Sequence, residues 1–423
     1  MNEHDSERMA GILETEGFHA AGTAINAELV ILNTCSIREK AEQKFYSELG
    51  RLRELKMENP GLKIAVAGCI AQQEGEKILS RAPYVDIILG PSDITGLPGI
   101  VDRGLTQDAP VIDISGDPEY HKRVIPTSRA DGVKAWVSIM YGCDNFCTYC
   151  VVPHLRGRER SRLPEDIVRE VTGLAEQGYK EVTLLGQNVN SYGKGLDRIT
   201  DFPALLRMVN DVSGIERIRF VTSHPRDLSE GLINALGELS RVCEAIHLPV
   251  QSGSDGILRS MNRKYTRADY LDRVKRLRDA VPGIALTTDI IVGFPGETDE
   301  DFAQTLRLLD EVQYDTLFAF KYSKRPGTAA LELAGHLPEK KKEARLAEVL
   351  ALQARITARK NSEQVGMVRE ILIDGRSKKG ATLAGRTRGN KVVNVGGPES
   401  LIGSMVNVRI TAAGTNTFSG ELC

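Results

Sequence analysis

Cys143, Cys147 and Cys150 lie in the stretch YGCDNFCTYC, three thiols within eight residues in the pattern C-x3-C-x2-C. Thiolates are soft ligands, and so tight a group can converge on one metal centre. Iron-sulfur clusters normally take four cysteines, so three imply a cubane with one iron left open for a cofactor or substrate. A structural zinc site is one competing reading, but zinc ligands usually come as two separated pairs, and no second pair lies nearby. Cysteines that are simply core are the other. The chain holds seven cysteines, unevenly spaced, and shows no secretory features, so a disulfide framework is not expected.

Cys35 and Cys69 each follow a strand pattern directly, in ELVILNTC and KIAVAGC. The carboxyl edge of an open α/β sheet is where such folds bind ligands, whereas a lone buried cysteine is usually inert. Cys243 lies beside a strand pattern and reads as core. Cys423 is the terminal residue.

Cations gather in two places. Arg156, Arg158, Arg160 and Arg162 follow the cysteine triplet, and Arg386, Arg388 and Lys391 fall near the carboxyl end. The whole chain is nearly neutral, with 55 Lys and Arg against 57 Asp and Glu, but Lys360 to Cys423 carries nine basic and five acidic residues. Such groups read either as phosphate contacts or as solvated charged faces.

The elements that must position these residues follow from periodicity. Up to about residue 105 the pattern alternates: a helix near Glu3 to Glu16, a strand Glu28–Leu32, a helix Ile37–Lys56, a strand Lys63–Ala67, a helix near Ala71–Arg81 and a strand Val85–Leu89. That order predicts a parallel α/β domain over 1–105. Residues 106–130 hold Pro110, Pro118 and Pro126 without periodicity and read as a linker. Over 131–360 six strand-helix units begin with AWVSIM (135–140), and a charged helix near Glu339–Lys360 ends the series. This is the pattern of a partial (β/α)6 TIM-type barrel, whose active site lies at the carboxyl ends of its strands. From 361 to 423, Val, Ile, Thr and Gly with turns at Asp374-Gly375, Gly389-Asn390 and Gly396-Gly397-Pro398 predict a small antiparallel β-barrel.

Composition, 41% hydrophobic and 26% charged, is that of a globular protein with a sizeable core. No apolar run is long enough to cross a bilayer and no signal segment is evident, so no membrane partner and a cytoplasmic location are expected.

The triplet with Tyr149 before its last cysteine, placed after the first barrel strand, resembles the radical S-adenosylmethionine (SAM) superfamily. The resemblance extends over essentially the whole chain, in the order of the methylthiotransferases: NTCSIREKA (33–41), GCIAQ (68–72), CVVPHLRGRERSR (150–162), LLGQNVNSY (184–192), HLPVQSGS (247–254), DIIVGFPGE (289–297) and GRTRGNKVV (385–393). It is similar above all to the branch acting on isopentenylated adenosine of tRNA. The resemblance implies a 4Fe-4S cluster on Cys143, Cys147 and Cys150 that binds SAM through its open iron. It implies a SAM pocket lined by Tyr149, Gly186, Gln187, Gln251, Gly293 and Gly296, where the last two glycines either admit backbone to the ligand or make an ordinary turn. It implies a second, auxiliary 4Fe-4S cluster on Cys35 and Cys69 that provides sulfur. The terminal TRAM-type barrel is implied to bind tRNA, presenting adenosine 37 of the anticodon loop, with Arg156, Arg158, Arg160, Arg162, Arg386, Arg388 and Lys391 at phosphates. A donor such as flavodoxin or ferredoxin is implied to supply electrons.

One departure bears on this. The family's third auxiliary ligand precedes the residues matching Met1 to Ser6, so a chain beginning at Met1 is expected to assemble the auxiliary cluster poorly and to lose methylthio transfer while retaining SAM cleavage. Methylthiolation of a ribosomal-protein aspartate is an alternative function, as is tRNA binding by an iron-sulfur protein without transfer.

Overall fold

The computed structural model describes the chain apart from residues 35–38, 118, 124, 130, 131, 198, 199 and 379. It separates into two compact units: Met1–Ala130 with Tyr141–Asp144 and Val151–Arg162, and Asp131–Met140 with Asn145–Cys150 and Leu163–Cys423.

The first unit is built on four parallel strands in sequence order, β1 (Leu29–Thr34), β2 (Lys63–Gly68), β3 (Ile87–Leu89) and β4 (Val111–Asp113). Both faces are covered. Ala65, Ala67, Ile87 and Leu89 point to one face with Met9 and Ile12 of the helix Asn2–Thr15 and Leu97, Ile100 and Val101 of the helix Leu97–Thr106. Ile64, Val66 and Ile88 point to the other, with Phe45, Leu49 and Leu52 of the helix Glu39–Glu58. The near-continuous apolar runs of these strands follow from burial on both sides. Each fully buried Leu, Ile or Val contributes roughly 1.5–3 kcal/mol relative to exposure.

Two expectations are corrected here. The helix expected over 71–81 is two, Cys69–Glu74 and Lys77–Arg81, broken where Gly75 adopts φ +49°, a conformation L-residues with side chains resist. The stretch 106–130, expected as a linker, carries β4, which extends the sheet beside β3.

The second unit contains six parallel strands: β5 (Lys134–Ser138), β6 (Glu181–Leu185), β7 (Arg217–Phe220), β8 (Ala245–His247), β9 (Ala285–Val292) and β10 (Thr316–Lys321). They form two three-stranded sheets joined by a bridge between Ile218 and Val242, where the Ile218 N–H donates to Arg241 O at 2.7 Å and the Cys243 N–H to Ile218 O at 2.9 Å. Helices cover the outer face. The helices Arg267–Ala280 and Asp299–Val312 open with reciprocal caps, Thr266 with Asp269 and Thr298 with Asp301, which satisfy otherwise orphaned N–H groups. The helix Glu339–Ser362 follows β10.

The same unit ends in a closed barrel of β11 (Val368–Arg376), β12 (Leu383–Thr387), β13 (Val392–Val395), β14 (Met405–Ala413) and β15 (Thr417–Leu422), with order β11-β12-β13-β15-β14. Ile371, Ile373, Leu383, Val393, Val395, Val408, Ile410 and Phe418 fill it. Register shifts after Ile373 and Ile410 supply the bends that closure needs.

Candidate active site

In the first unit β1 and β2 are paired to their ends, Thr34 opposite Gly68, so the chain leaves two adjacent strand ends toward Cys35 and Cys69. Cys35 lies outside the described residues. Cys69 is buried and opens the helix Cys69–Glu74. Gly68 has φ +90°, and a Cβ there would lie 2.4 Å from Asn33 Oδ1; only glycine passes the chain through this corner.

Arg156 reaches the same place. It hydrogen-bonds the Cys69 side chain and donates to Asp5 Oδ2 at 2.7 Å and Asn2 Oδ1 at 3.2 Å. Burial opposes its charge, but Asp5 and Cys69 overturn that and hold the guanidinium protonated. Nearby, Arg8 donates to Tyr120 Oη at 2.7 Å and Tyr141 Oη at 2.8 Å. Cys143 is buried in this unit, its N–H donating to Gly157 O at 3.2 Å. The four arginines expected at phosphates therefore differ: Arg162 is buried, the Arg156 side chain is 8% exposed, Arg160 is half-buried, and Arg158 is exposed in a two-bond pair with Asp144. The Arg156 guanidinium is thus engaged by Asp5 and Cys69.

In the second unit Cys147 and Cys150 share a turn, the Cys150 N–H donating to Cys147 O at 2.9 Å. A residue that no motif singled out, Arg263, holds this turn. It is buried, and its guanidinium donates to Cys147 Sγ at 3.2 Å, Tyr149 Oη at 3.3 Å, Tyr265 Oη at 2.9 Å and Pro249 O at 2.7 Å. Asn262 and Lys264 on either side have φ +60° and +63°, an uncommon backbone for residues with side chains, favoured where function requires it. The one advance signal was Asn262, a residue that tolerates left-handed φ. Tyr149 packs with Ile257, Met261, Phe294, Tyr322 and Ala330.

Gly186 and Gln187 follow β6, and a Cβ at Gly186 would meet Met140 Cγ at 2.5 Å. Gln251 is buried with φ +74°, its N–H donating to Asp289 O and its carbonyl accepting from the Ile291 N–H, both at 2.9 Å. Gly293 and Gly296 have φ +70° and +80°. Their expected openness to a ligand divides: nothing lies near a Cβ at 296, but at 293 the space is taken by Lys342 Cγ at 2.2 Å, and the Gly293 N–H already donates to Glu297 Oε2 at 2.7 Å.

The small barrel's cations are also sorted. Arg388 donates to both carboxylate oxygens of Glu244 at 2.7 and 2.8 Å and to Ser240 and Val242 carbonyls, and Lys391 Nζ donates to Asp315 O at 3.3 Å. Arg219 donates to the carbonyls of Thr387 and Arg388, both at 2.8 Å, and Arg217 to that of Arg386 at 2.5 Å. The Thr387–Lys391 turn thus docks at the amino ends of the β/α strands. Arg388 and Lys391, expected at phosphates, make contacts that join the two barrels; Arg386 is partly exposed, 3.6 Å from Asp374. Arg376, Lys378 and Arg409 are exposed.

Comparison with known proteins accords with this layout. The radical SAM superfamily model matches residues 137–309, the uncharacterized protein family UPF0004 matches 1–90 and the TRAM domain matches 362–423. The chain is 51% identical over 422 residues to a tRNA-2-methylthio-N(6)-dimethylallyladenosine synthase of Thermodesulfovibrio yellowstonii, covering 100% of this chain and 96% of that protein. The chain belongs to this synthase family. A Clostridium perfringens member is 48% identical, covering 100% of this chain and 95% of its own, and one from Carboxydothermus hydrogenoformans is 49% identical, covering 97% and 94%. The fold is similar to that of the radical SAM methyltransferase TsrM from Kitasatospora setae, at TM-score 0.56 and 16% identity over 78% of this chain and 74% of that one.

Membership implies SAM and 4Fe-4S clusters, and the donors suit them. The six cysteines among the described residues form no disulfide, and a buried cation already donates to the Cys147 sulfur, as second-shell donors do to cluster thiolates. No three His, Cys, Asp or Glu side chains among the described residues are drawn together as a metal site, so the fit rests on donor type and on the Arg263 contact. No helix among the described residues is long and apolar enough to cross a membrane.

Proposed function

We propose that this chain adds a methylthio group to carbon 2 of N6-isopentenyladenosine at position 37 of tRNA. The observation that carries the reading is full-length identity of about half to named synthases, with the C-x3-C-x2-C loop following the first strand of a six-stranded partial barrel. Cys143, Cys147 and Cys150 would hold the SAM-binding cluster, and Cys35 and Cys69 would contribute thiolates to the auxiliary one. The chemistry these groups supply when bound is one-electron cleavage of SAM and provision of sulfur.

The chain's own residues do the positioning. Arg263 ties Cys147 and Tyr149 to the Pro249 carbonyl, so the cysteine turn is fixed before any ligand arrives. Tyr149, Gly186, Gln187, Gln251, Gly293 and Gly296 would surround SAM at the carboxyl ends of the strands; Gly293 serves by packing tightly against Lys342 and Gly296 by leaving room. Arg156 would orient Cys69. Phosphates would be met by the exposed Arg158, Arg376, Lys378 and Arg409, with Arg160 and Arg386 at the margin, since surface ion pairs are weak enough to exchange. The anticodon loop offers an unstacked base that a duplex would not. Because tRNA and a flavodoxin- or ferredoxin-type electron donor are its partners, the enzyme works in the cytoplasm.

The test is nucleoside analysis of tRNA from a strain lacking the gene, complemented with the parent or with a Cys143→Ala, Cys147→Ala, Cys150→Ala triple variant. Return of the 2-methylthio nucleoside with the parent alone is expected, and would set aside the loss of transfer expected of a chain beginning at Met1. Its failure to return with an expressed, folded parent would refute the reading.

A further inference from the structure

The inner face of β8, β9 and β10 carries polar and aromatic side chains that neither the cysteine turn nor the expected SAM residues use, and at its carboxyl end Ile291 packs on the same apolar cluster as Tyr149. Along β9 the side chains alternate: Leu286, Thr288, Ile290 and Val292 are buried, while Thr287, Asp289 and Ile291 remain partly exposed. The neighbouring strands follow in register, with His247 beside Thr287, Phe318 beside Asp289 and Phe320 beside Ile291. Leu286, Ile290 and Val292 belong to the core under the helices, so the alternate row faces the barrel interior.

This row combines three chemistries. Phe318 is a bare aromatic, 50% exposed, standing edge-to-face with His247 at 6.1 Å between centroids. His247 Nδ1 lies 2.9 Å from Thr287 Oγ1, whose hydroxyl also reaches Ile246 O at 3.5 Å, and His247 Nε2 lies 3.5 Å from Asp289 Oδ2. Ile291 and Phe320 extend the apolar surface one step toward the carboxyl ends. The row is also tied to the catalytic end, because the Asp289 carbonyl accepts the N–H of the strained Gln251.

We propose that this face is the subsite for the target base, and that it recognises an N6-alkylated purine. Phe318 takes a face of the base, as aromatic side chains do for extruded nucleobases. The Asp289 carboxylate accepts the single N–H that remains on the alkylated exocyclic nitrogen, with the His247 imidazole beside it. Ile291 and Phe320 cover the hydrocarbon chain. The selection works both ways: an unmodified adenine fills less of the apolar surface, and a base without an exocyclic N–H leaves the carboxylate with only the His247 imidazole at 3.5 Å. This inference rests on the reading that the substrate is a prenylated adenosine in tRNA, and it adds which residues read that base.

The experiment is fluorescence anisotropy with the reconstituted full chain and two anticodon stem-loop RNAs, one bearing N6-isopentenyladenosine and the other adenosine at the target position. The parent should bind the prenylated loop more tightly. Phe318→Ala should weaken binding of the prenylated loop by about ten-fold or more, the size of one base-aromatic stack, and change the adenosine loop less, with SAM affinity unaltered. Phe318→Tyr should restore the preference, and Asp289→Asn should reduce it while leaving the helical content of the protein intact. A Phe318→Ala protein that keeps the full preference overturns the subsite, as does equal weakening of both loops with Phe318→Tyr failing to restore it. If the parent itself shows no preference and yields no methylthio product, the substrate reading fails instead, and the assignment of the prenylated base falls with it.

Discussion

Replacing Arg388 with alanine separates a structural cation from an RNA-binding one. The guanidinium makes two bonds to Glu244 and one each to the carbonyls of Ser240 and Val242. Burial works against the Glu244 charge, but the Arg388 bonds prevail and hold its carboxyl below the usual range. Hydrogen bonds to charged groups are worth about 1.5–3 kcal/mol each when neither partner is solvated. Glu244 is 39% exposed, so water recovers much of that, and a net loss of roughly 2–4 kcal/mol is expected. For a unit of this size that lowers the melting temperature by roughly 4–10 °C. The sign of the pH dependence follows from the depressed Glu244 pKa. The contribution is present at neutral pH, above the unfolded carboxyl pKa of 4.5, and is lost as pH falls through the lower folded value. Parent and variant melting curves should therefore converge in acid. Calorimetry between pH 3 and 8, with stem-loop binding at several salt concentrations, makes the measurement. An unchanged melting temperature, together with a shallower salt dependence of RNA binding, would refute the structural role and return Arg388 to the phosphates.

Other expectations follow from single contacts. Arg156→Ala leaves the buried Asp5 carboxylate without its cation and should cost about 3–5 kcal/mol in denaturant unfolding, whereas Arg158→Ala should leave the unfolding midpoint nearly unchanged because its pair with Asp144 is exposed. Gly296→Ala should lose roughly 1 kcal/mol to its positive φ alone, and Gly293→Ala distinctly more because of Lys342; comparison of their urea midpoints checks the order. Asp93 is buried, with burial raising its pKa to about 6. The proton is bound more tightly in the folded state, so the stability this group provides is full below pH 3.8 and lost as pH rises through 6. Asp93→Asn should therefore stabilise on the order of 2–3 kcal/mol above pH 6 and make little difference near pH 3.5, as read from urea unfolding at both pH values.

What the sequence made legible is what the chain encodes locally. The C-x3-C-x2-C spacing is itself a geometric statement, and the six strand-helix units read from periodicity appear as the six parallel strands β5 to β10 with their helices. The closed terminal barrel is likewise foreshadowed by short β-branched runs between glycine turns. Strand β4 escaped notice because three residues next to Pro110 are too few to show a period, and they become a strand only by pairing with β3.

The cations were legible as charges but not as partners. Arg156, Arg388 and Lys391 stand in basic stretches, and a basic stretch near an RNA-handling motif invites a phosphate. Their destinations are decided by residues more than 70 positions away: Asp5 for Arg156, Glu244 for Arg388, the Asp315 carbonyl for Lys391. A count of charge cannot carry that information, because a guanidinium is recruited by whichever carboxylate the fold buries beside it. Arg263 is the reverse case. A single arginine in MNRKY has no spacing to mark it, yet it bonds Cys147, Tyr149, Tyr265 and Pro249 at once. Four bonds from one buried guanidinium need its planar fork, so Arg263→Lys, which keeps the charge and loses the fork, should fail to hold the cysteine turn. Iron retention after anaerobic desalting is the measure. Retention equal to the parent would mean that positive charge alone suffices at this position.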